Sequence, residues 1–137
     1  MALLGLRHVA LRVRDPQASK RFYAEHFGMS VVWEPDSDNV YLSSGVDNLA
    51  LHRADAQGSG ALDHLGFIVD SKEEVDRMAD RLRGRGVAIA AEPKDHRDGS
   101  RSCYCLDPDG LRIQIIFEPT LSLDSVSFDA APAAPRA

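Results

Sequence analysis

Leu6-Arg7-His8-Val9-Ala10-Leu11-Arg12-Val13 returns in altered form as Leu62-Asp63-His64-Leu65-Gly66-Phe67-Ile68-Val69. The two histidines stand 56 residues apart. Each stretch reads as a strand with a helix signal directly after it. Asp15-Pro16 is an N-cap followed by proline at the first helical position, and the apolar pattern runs on to Phe27 and stops at Gly28. In the second copy Ser71 with Glu74 three residues on forms a capping-box pattern, with the helix ending near Arg83 and a stop around Gly84 to Gly86. A self-similar unit at fixed offset is the signature of a duplicated supersecondary structure.

Three strands follow each helix. In the first copy they read as Ser30 to Pro35, Asn39 to Ser43 and Asn48 to Arg53. In the second they read as Val87 to Pro93, Arg101 to Leu106 and Leu111 to Glu118. Asp107-Pro108-Asp109-Gly110 joins the last pair, with proline second and glycine fourth as a type I turn prefers. The expected fold class is α+β: two tandem βαβββ modules forming an incomplete eight-stranded, barrel-like cup. Module one covers about 5–53, a Gly/Ser/Ala-rich linker covers 54–61, and module two covers about 62–118. Together they make a single domain over 1–118. Residues 119–137 read as a C-terminal arm carrying Leu121, Leu123, Val126 and Phe128, then a disordered Ala/Pro tail.

Strand alternation assigns the faces. Val9, Leu11 and Val13 share one face, and His8, Ala10 and Arg12 the other. Leu65, Phe67 and Val69 oppose His64, Gly66 and Ile68; Ile113, Ile115 and Phe117 oppose Gln114, Ile116 and Glu118; Leu49 and Leu51 oppose Ala50 and His52. The apolar faces must take the helices. The opposite faces carry His8, His64 and Gln114, which implies a shared cavity.

Composition narrows the field. With 44% hydrophobic and 27% charged residues the 137-residue chain has an ordinary globular balance. A formal net charge of -5 and the lack of a basic cluster speak against nucleic acid as a partner. No apolar run approaches a membrane span, and the N-terminal residues lack the pattern of a signal peptide, so a cytoplasmic protein is expected. Cys103 and Cys105 alternate on one strand face. Their Cα atoms would lie roughly 6.5–7 Å apart, at the limit for a disulfide. They read as reduced, small apolar residues beneath a helix.

The duplicated frame, with His8 in LRHVALRV, Phe22-Tyr23 and Phe27-Gly28 in the first helix, His64 in DHLGFIV, and Asp107-Pro108-Asp109-Gly110 before the last strand, resembles the vicinal oxygen chelate superfamily. That superfamily includes glyoxalase I, extradiol dioxygenases, fosfomycin-resistance enzymes and bleomycin-resistance proteins. The resemblance covers residues 5 to about 118. It implies a divalent metal ion (Fe, Mn, Ni, Zn or Co) held in the cup by a set like two histidines and one carboxylate. By position the ligands fall on His8, His64 and Gln114, where the family most often has Glu. A neutral amide oxygen can coordinate, but it takes one negative charge out of the ligand set. Glu118 shares the face of Gln114, yet four strand residues set them roughly 13 Å apart, so both cannot serve one ion without a bulge. The same histidines also read as polar cup-lining residues bonded to water or ligand.

His52, at the end of its strand, reads as a substrate contact or base near the cup mouth, and Arg12 as a partner for a substrate carboxylate or phosphate. Solvated and rim-paired readings of both stay open. His26 reads as a surface or capping residue, Glu34 and Glu92 as matched repeat structure, and Lys94 to Arg101 as either a lid or a solvated loop. No particular catalytic residue follows from the sequence. Two functions are expected as alternatives. One is a metal-dependent enzyme of glyoxalase or dioxygenase type, acting on a small oxygenated substrate through bidentate chelation and Lewis-acid catalysis. The other is a metal-free protein that sequesters a small molecule. The lack of a carboxylate at Ala50 weighs against a full glyoxalase I assignment, and Gln114 against extradiol cleavage. A homodimer is expected, because each sheet has edges to cover and the arm has apolar residues to bury.

Overall fold

The computed structural model describes residues 6–55 and 62–119. The chain separates into two compact units, one built on the first copy of the repeat and one on the second. In the first, β1 (His8–Val13) leads into α1 (Pro16–Phe27), followed by β2 (Ser30–Asp36), β3 (Asn39–Ser43) and β4 (Asn48–Arg53). In the second, β5 (Leu65–Ile68) leads into α2 (Lys72–Gly84), β6 (Ile89–Asp95), β7 (Arg101–Leu106) and β8 (Arg112–Phe117). The sheet orders are β1-β4-β3-β2 and β5-β8-β7-β6. In each, the first and last strands lie parallel side by side while the other pairings are antiparallel. Both sheets are open and both units are α+β.

The helix ends form as their residues dictate. The Asp15 carboxylate accepts from the backbone N–H groups of Gln17 (3.0 Å) and Ala18 (3.2 Å), which would otherwise lack partners in the first turn. Gly28 ends α1 at φ 67°, a left-handed position that suits glycine, and its N–H bonds the Tyr23 carbonyl. Ser71 Oγ accepts from the Glu74 N–H at 3.1 Å. The Glu74 carboxylate itself pairs with Arg77.

One face of each sheet is sealed by its own helix. Phe22 and Tyr23 of α1 are buried, as are Leu11, Val13, Val40, Leu42, Leu49 and Leu51. In the second unit Val75, Met78, Ala79 and Leu82 of α2 are buried, as are Cys103, Cys105, Ile113 and Ile115. Each large apolar side chain so covered contributes about 1.5–3 kcal/mol. Glu34 and Glu92 fasten the strand after each helix back onto that helix, Glu34 to Lys20 at 2.8 Å and Glu92 to Arg83. The hydrogen bond from Lys20 holds the Glu34 carboxyl below its usual range.

Three expectations need correction. His64 lies just before β5 rather than within it. The segment Lys94 to Arg101 is not an open lid. β6 continues to Asp95 because Lys94 pairs with Ser102 and Asp95 with Arg101. An Asp95–Arg101 ion pair at 3.3 Å and a His96 N–H to Ser100 carbonyl bond at 2.8 Å close the hairpin. His26 is half-buried, its ring packed against Phe22 at 5.1 Å between centroids. The Asp107 turn forms as read: its carbonyl accepts from Gly110 N–H at 2.9 Å, and its carboxylate from Asp109 and Leu111 N–H. The arm residues Leu121, Leu123, Val126 and Phe128 and most of the linker lie outside the described residues. Among the described residues no helix is long and apolar enough to cross a membrane.

Both cysteines are free and fully buried, and burial pushes their thiols up, to about 11 for Cys103 and about 12 for Cys105. The thiolate is the reactive form. Ellman's reagent at pH 8 is therefore expected to label neither cysteine in the native protein and both after denaturation. Rapid native labelling would show that α2 does not cover this face.

Candidate functional site

The sheet faces turned away from the helices hold the polar side chains that sequence alternation assigned to them. On the first unit, cross-strand register sets His8 beside Asn48, Ala10 beside Ala50 and Arg12 beside His52. The next strand places Tyr41 opposite Ala50 and Asn39 opposite His52, and Trp33 lies opposite Tyr41. Trp33 and Tyr41 stack with centroids 4.9 Å apart, and Tyr41 meets His52 edge-on at 5.6 Å. Arg12 and His52 are thus register neighbours on adjacent parallel strands.

On the second unit the equivalent register sets Gly66 beside Gln114, and Gln114 opposite Tyr104. Gln114 Nε2 donates to Tyr104 Oη at 3.0 Å. His64 meets the Tyr104 ring edge-on, 5.2 Å between centroids at 85°. The Arg112 guanidinium lies 4.3 Å over the same ring. His64 and Gln114 are therefore brought together around Tyr104. The amide oxygen Gln114 Oε1 sits over the neighbouring strand, 3.5 Å from where a Gly66 Cβ would be. Through the duplicated register Ala50 occupies the place of Gln114, and Tyr41 the place of Tyr104. Sequence reasoning missed Tyr104. The available signal was a tyrosine between two buried apolar residues in the third strand of both copies, Val40-Tyr41-Leu42 and Cys103-Tyr104-Cys105.

Three histidines share one arrangement. His8 Nδ1 is 2.8 Å from Asn48 Oδ1, His52 Nδ1 is 2.7 Å from Asn39 Oδ1, and His64 Nδ1 is 2.6 Å from Asp63 Oδ1. Each oxygen is an acceptor, so the proton belongs on Nδ1 and the lone pair on Nε2. Histidines that bind metals are held in this way, the second ring nitrogen donating to a carboxylate or amide oxygen. The hydrogen bond to His64 holds the Asp63 carboxyl below its usual range. Glu118 lies beyond the end of β8, whose pairing with β7 runs without a bulge, so it stays one full run of strand away from Gln114.

Imidazole nitrogen and amide oxygen are donor types that borderline divalent ions accept. Among the described residues no group of three or more His, Cys, Asp and Glu side chains is arranged to hold one. A set drawn from His8, His64 and Gln114 would be wholly neutral.

Comparison with known proteins agrees with this architecture. The family model described as Glyoxalase/Bleomycin resistance protein/Dioxygenase superfamily matches residues 5–115. A probable trivalent organoarsenical cleaving enzyme of Bacillus subtilis (strain 168) is 32% identical over 111 residues, covering 75% of this chain and 73% of the relative. A putative lactoylglutathione lyase of Brassica oleracea var. gemmifera is 28% identical over 120 residues, and the match takes in 80% of this chain but only 43% of that longer protein. The crystal structure of a lactoylglutathione lyase from Agrobacterium tumefaciens superposes with a TM-score of 0.72 at 26% identity, over 85% of this chain and 96% of the other. The paired βαβββ units, their register and the extent of the family match together place this chain in the glyoxalase/bleomycin resistance protein/dioxygenase superfamily.

Proposed function

We propose that the chain is a metal-dependent enzyme acting on a small oxygenated molecule. The observation that carries this reading is that His8 and His64 both commit Nδ1 to a side-chain oxygen and leave Nε2 as a donor. His8, His64 and Gln114 would hold the ion. When bound, it supplies open positions for two substrate oxygens and Lewis-acid stabilisation of developing negative charge. Arg12 and His52 stand side by side on the first face and would contact the substrate, Arg12 through an anionic group and His52 through Nε2. The superfamily's named activities range from lyase to dioxygenase, and fold does not choose among them. The cytoplasm is the proposed location.

A second reading, a metal-free protein that sequesters a small molecule, is favoured by the neutral donor set. The two are separated by elemental analysis of protein purified without chelator or metal-binding tag and then reconstituted with Mn, Fe, Co, Ni or Zn in turn. Retention of one of these in stoichiometric amount is expected. Failure to retain any of them would leave the sequestering protein as the account.

Gln114→Glu places an anionic oxygen where a neutral one stands, in a partly buried site where charge is poorly screened. Calorimetric titration is expected to show the variant binding Ni2+ at least about tenfold more tightly. Equal or weaker binding would remove Gln114 from the ligand set.

We also propose a homodimer. The edge strands β1, β2, β5 and β6 present backbone groups for pairing. Light scattering at micromolar concentration is expected to give twice the 15.0 kDa chain mass. A mass of one chain would overturn it.

A further inference from the structure

An asparagine beside a histidine does not by itself decide which ring nitrogen carries the proton, because the amide offers an oxygen at one end and an NH2 group at the other. At Asn39 a third group decides. Its Nδ2 donates to Asp36 Oδ1 at 2.9 Å. A carboxylate can only accept, so the NH2 end is committed to Asp36 and the amide oxygen faces His52, 2.7 Å from Nδ1. His52 then donates from Nδ1 and keeps a lone pair on Nε2. The far end of this chain is anchored. The same Asp36 oxygen accepts from the Asp38 N–H at 2.9 Å, the Ser37 carbonyl accepts from Gln17 Nε2 of α1 at 3.2 Å, and Arg53 Nε pairs with Asp38 at 2.6 Å. Register lays the three side chains in one row across β2, β3 and β4. The duplicated frame does not require that row, since the second unit pairs Ser102 with Ile116 where the first pairs Asn39 with His52.

We infer that Asp36 and Asn39 are positioning residues that hold His52 in its Nδ1–H form, which makes Nε2 a fixed acceptor and selects a ligand that offers it a hydroxyl. A carbonyl or ether oxygen at the same place has no proton to give and leaves Nε2 unpaired. The choice of ligand rests on the reading of His52 as a substrate contact. Where such a hydroxyl ionises, its proton moves to Nε2 and the O–H electron pair stays on the ligand oxygen. Asn39 Oδ1 goes on accepting from Nδ1–H, so nothing in the chain has to turn over. The neighbours of this acceptor are rings. Tyr41 meets His52 edge-on at 5.6 Å and stacks on Trp33, which is 37% exposed. An aromatic hydroxyl suits these surroundings.

The test uses long-range 15N–1H correlation spectra of three full-length proteins at about pH 8.5, above the ordinary imidazole range. They are the wild type, Asp36→Ala, and Asp36→Ala combined with Asn39→Asp, with the His52 signals assigned by their loss in His52→Gln. The wild type is expected to show His52 wholly as the Nδ1–H form. Asp36→Ala frees the amide to turn, and the Nε2 signal is expected to move toward its protonated position. Asn39→Asp in that background is expected to restore the Nδ1–H form, because a carboxylate at 39 can only accept. A wild-type ring protonated on Nε2, or a His52 signal that Asp36→Ala leaves unaltered, would overturn the inference. Failure of the double variant to restore the wild-type form would also overturn it, by showing that Asp36 acts only through the turn at Asp38. Titration with phenol and with anisole, which lacks the proton, then tests the ligand. Phenol is expected to shift the wild-type Nε2 signal to saturation, anisole to leave it in place, and Asp36→Ala to weaken the phenol response about fivefold, the scale of one hydrogen bond. No response to phenol from a wild type in the Nδ1–H form would remove His52 from the substrate contacts while leaving the positioning role of Asp36 and Asn39 intact.

Discussion

The alternation of side chains across a β-strand governs this molecule. Because successive residues point to opposite faces, one helix per unit can seal every second residue of four strands and leave the others for chemistry. The division is carried residue by residue: Leu49 and Leu51 go under α1 while Ala50 and His52 go to the opposite face, and Ile113 and Ile115 go under α2 while Gln114 and Ile116 do not. A one-residue slip in either sheet would bury His52 or Gln114 in the core, at a cost of several kcal/mol for an unpaired polar group. The parallel pairing of first and last strands then brings residues far apart in sequence into one row, as Gly66 with Gln114 and Arg12 with His52.

The two units carry the same frame but different chemistry on it. The first presents an aromatic and basic surface, Trp33, Tyr41, His52 and Arg12, around the small residues Ala10 and Ala50. The second presents donors, His64 and Gln114, around Tyr104. Duplication followed by divergence on one register accounts for this, since the equivalent of the second unit's glutamine is an alanine in the first. In the proposed account the first face recognises the substrate and the second contributes most of the ligand set. His8 is the exception, held at the start of β1 by Asn48.

Much of this was legible in the sequence, for identifiable reasons. His8 and His64 stood out because the repeat aligned them, and both helices were bounded by cap residues whose side-chain chemistry is local: Asp15, Gly28 and Ser71. Strand alternation put Gln114 on the face opposite the helix, and the family resemblance implied it as a ligand. What was missed needed knowledge of which strands lie side by side. Asn48 and Asn39 orient histidines 40 and 13 residues away. Tyr104 reaches Gln114 across the β7–β8 ladder. The loop read as a possible lid shortened because Asp95 and Arg101 pair across the hairpin, an ion pair that composition alone made look like solvated polarity.

The central claim is that His8 and His64 present Nε2 to one divalent ion while their Nδ1 protons stay on Asn48 and Asp63. Long-range 15N–1H correlation spectra of the histidine rings during a Zn2+ titration test it directly. The chain has five histidines, so every ring can be followed. The account predicts the Nδ1–H tautomer for His8 and His64 in the free protein and a shift confined to their Nε2 signals, saturating together, as Zn2+ is added. Unaltered signals for these two rings, or shifts confined to His26, His52 or His96, would contradict it.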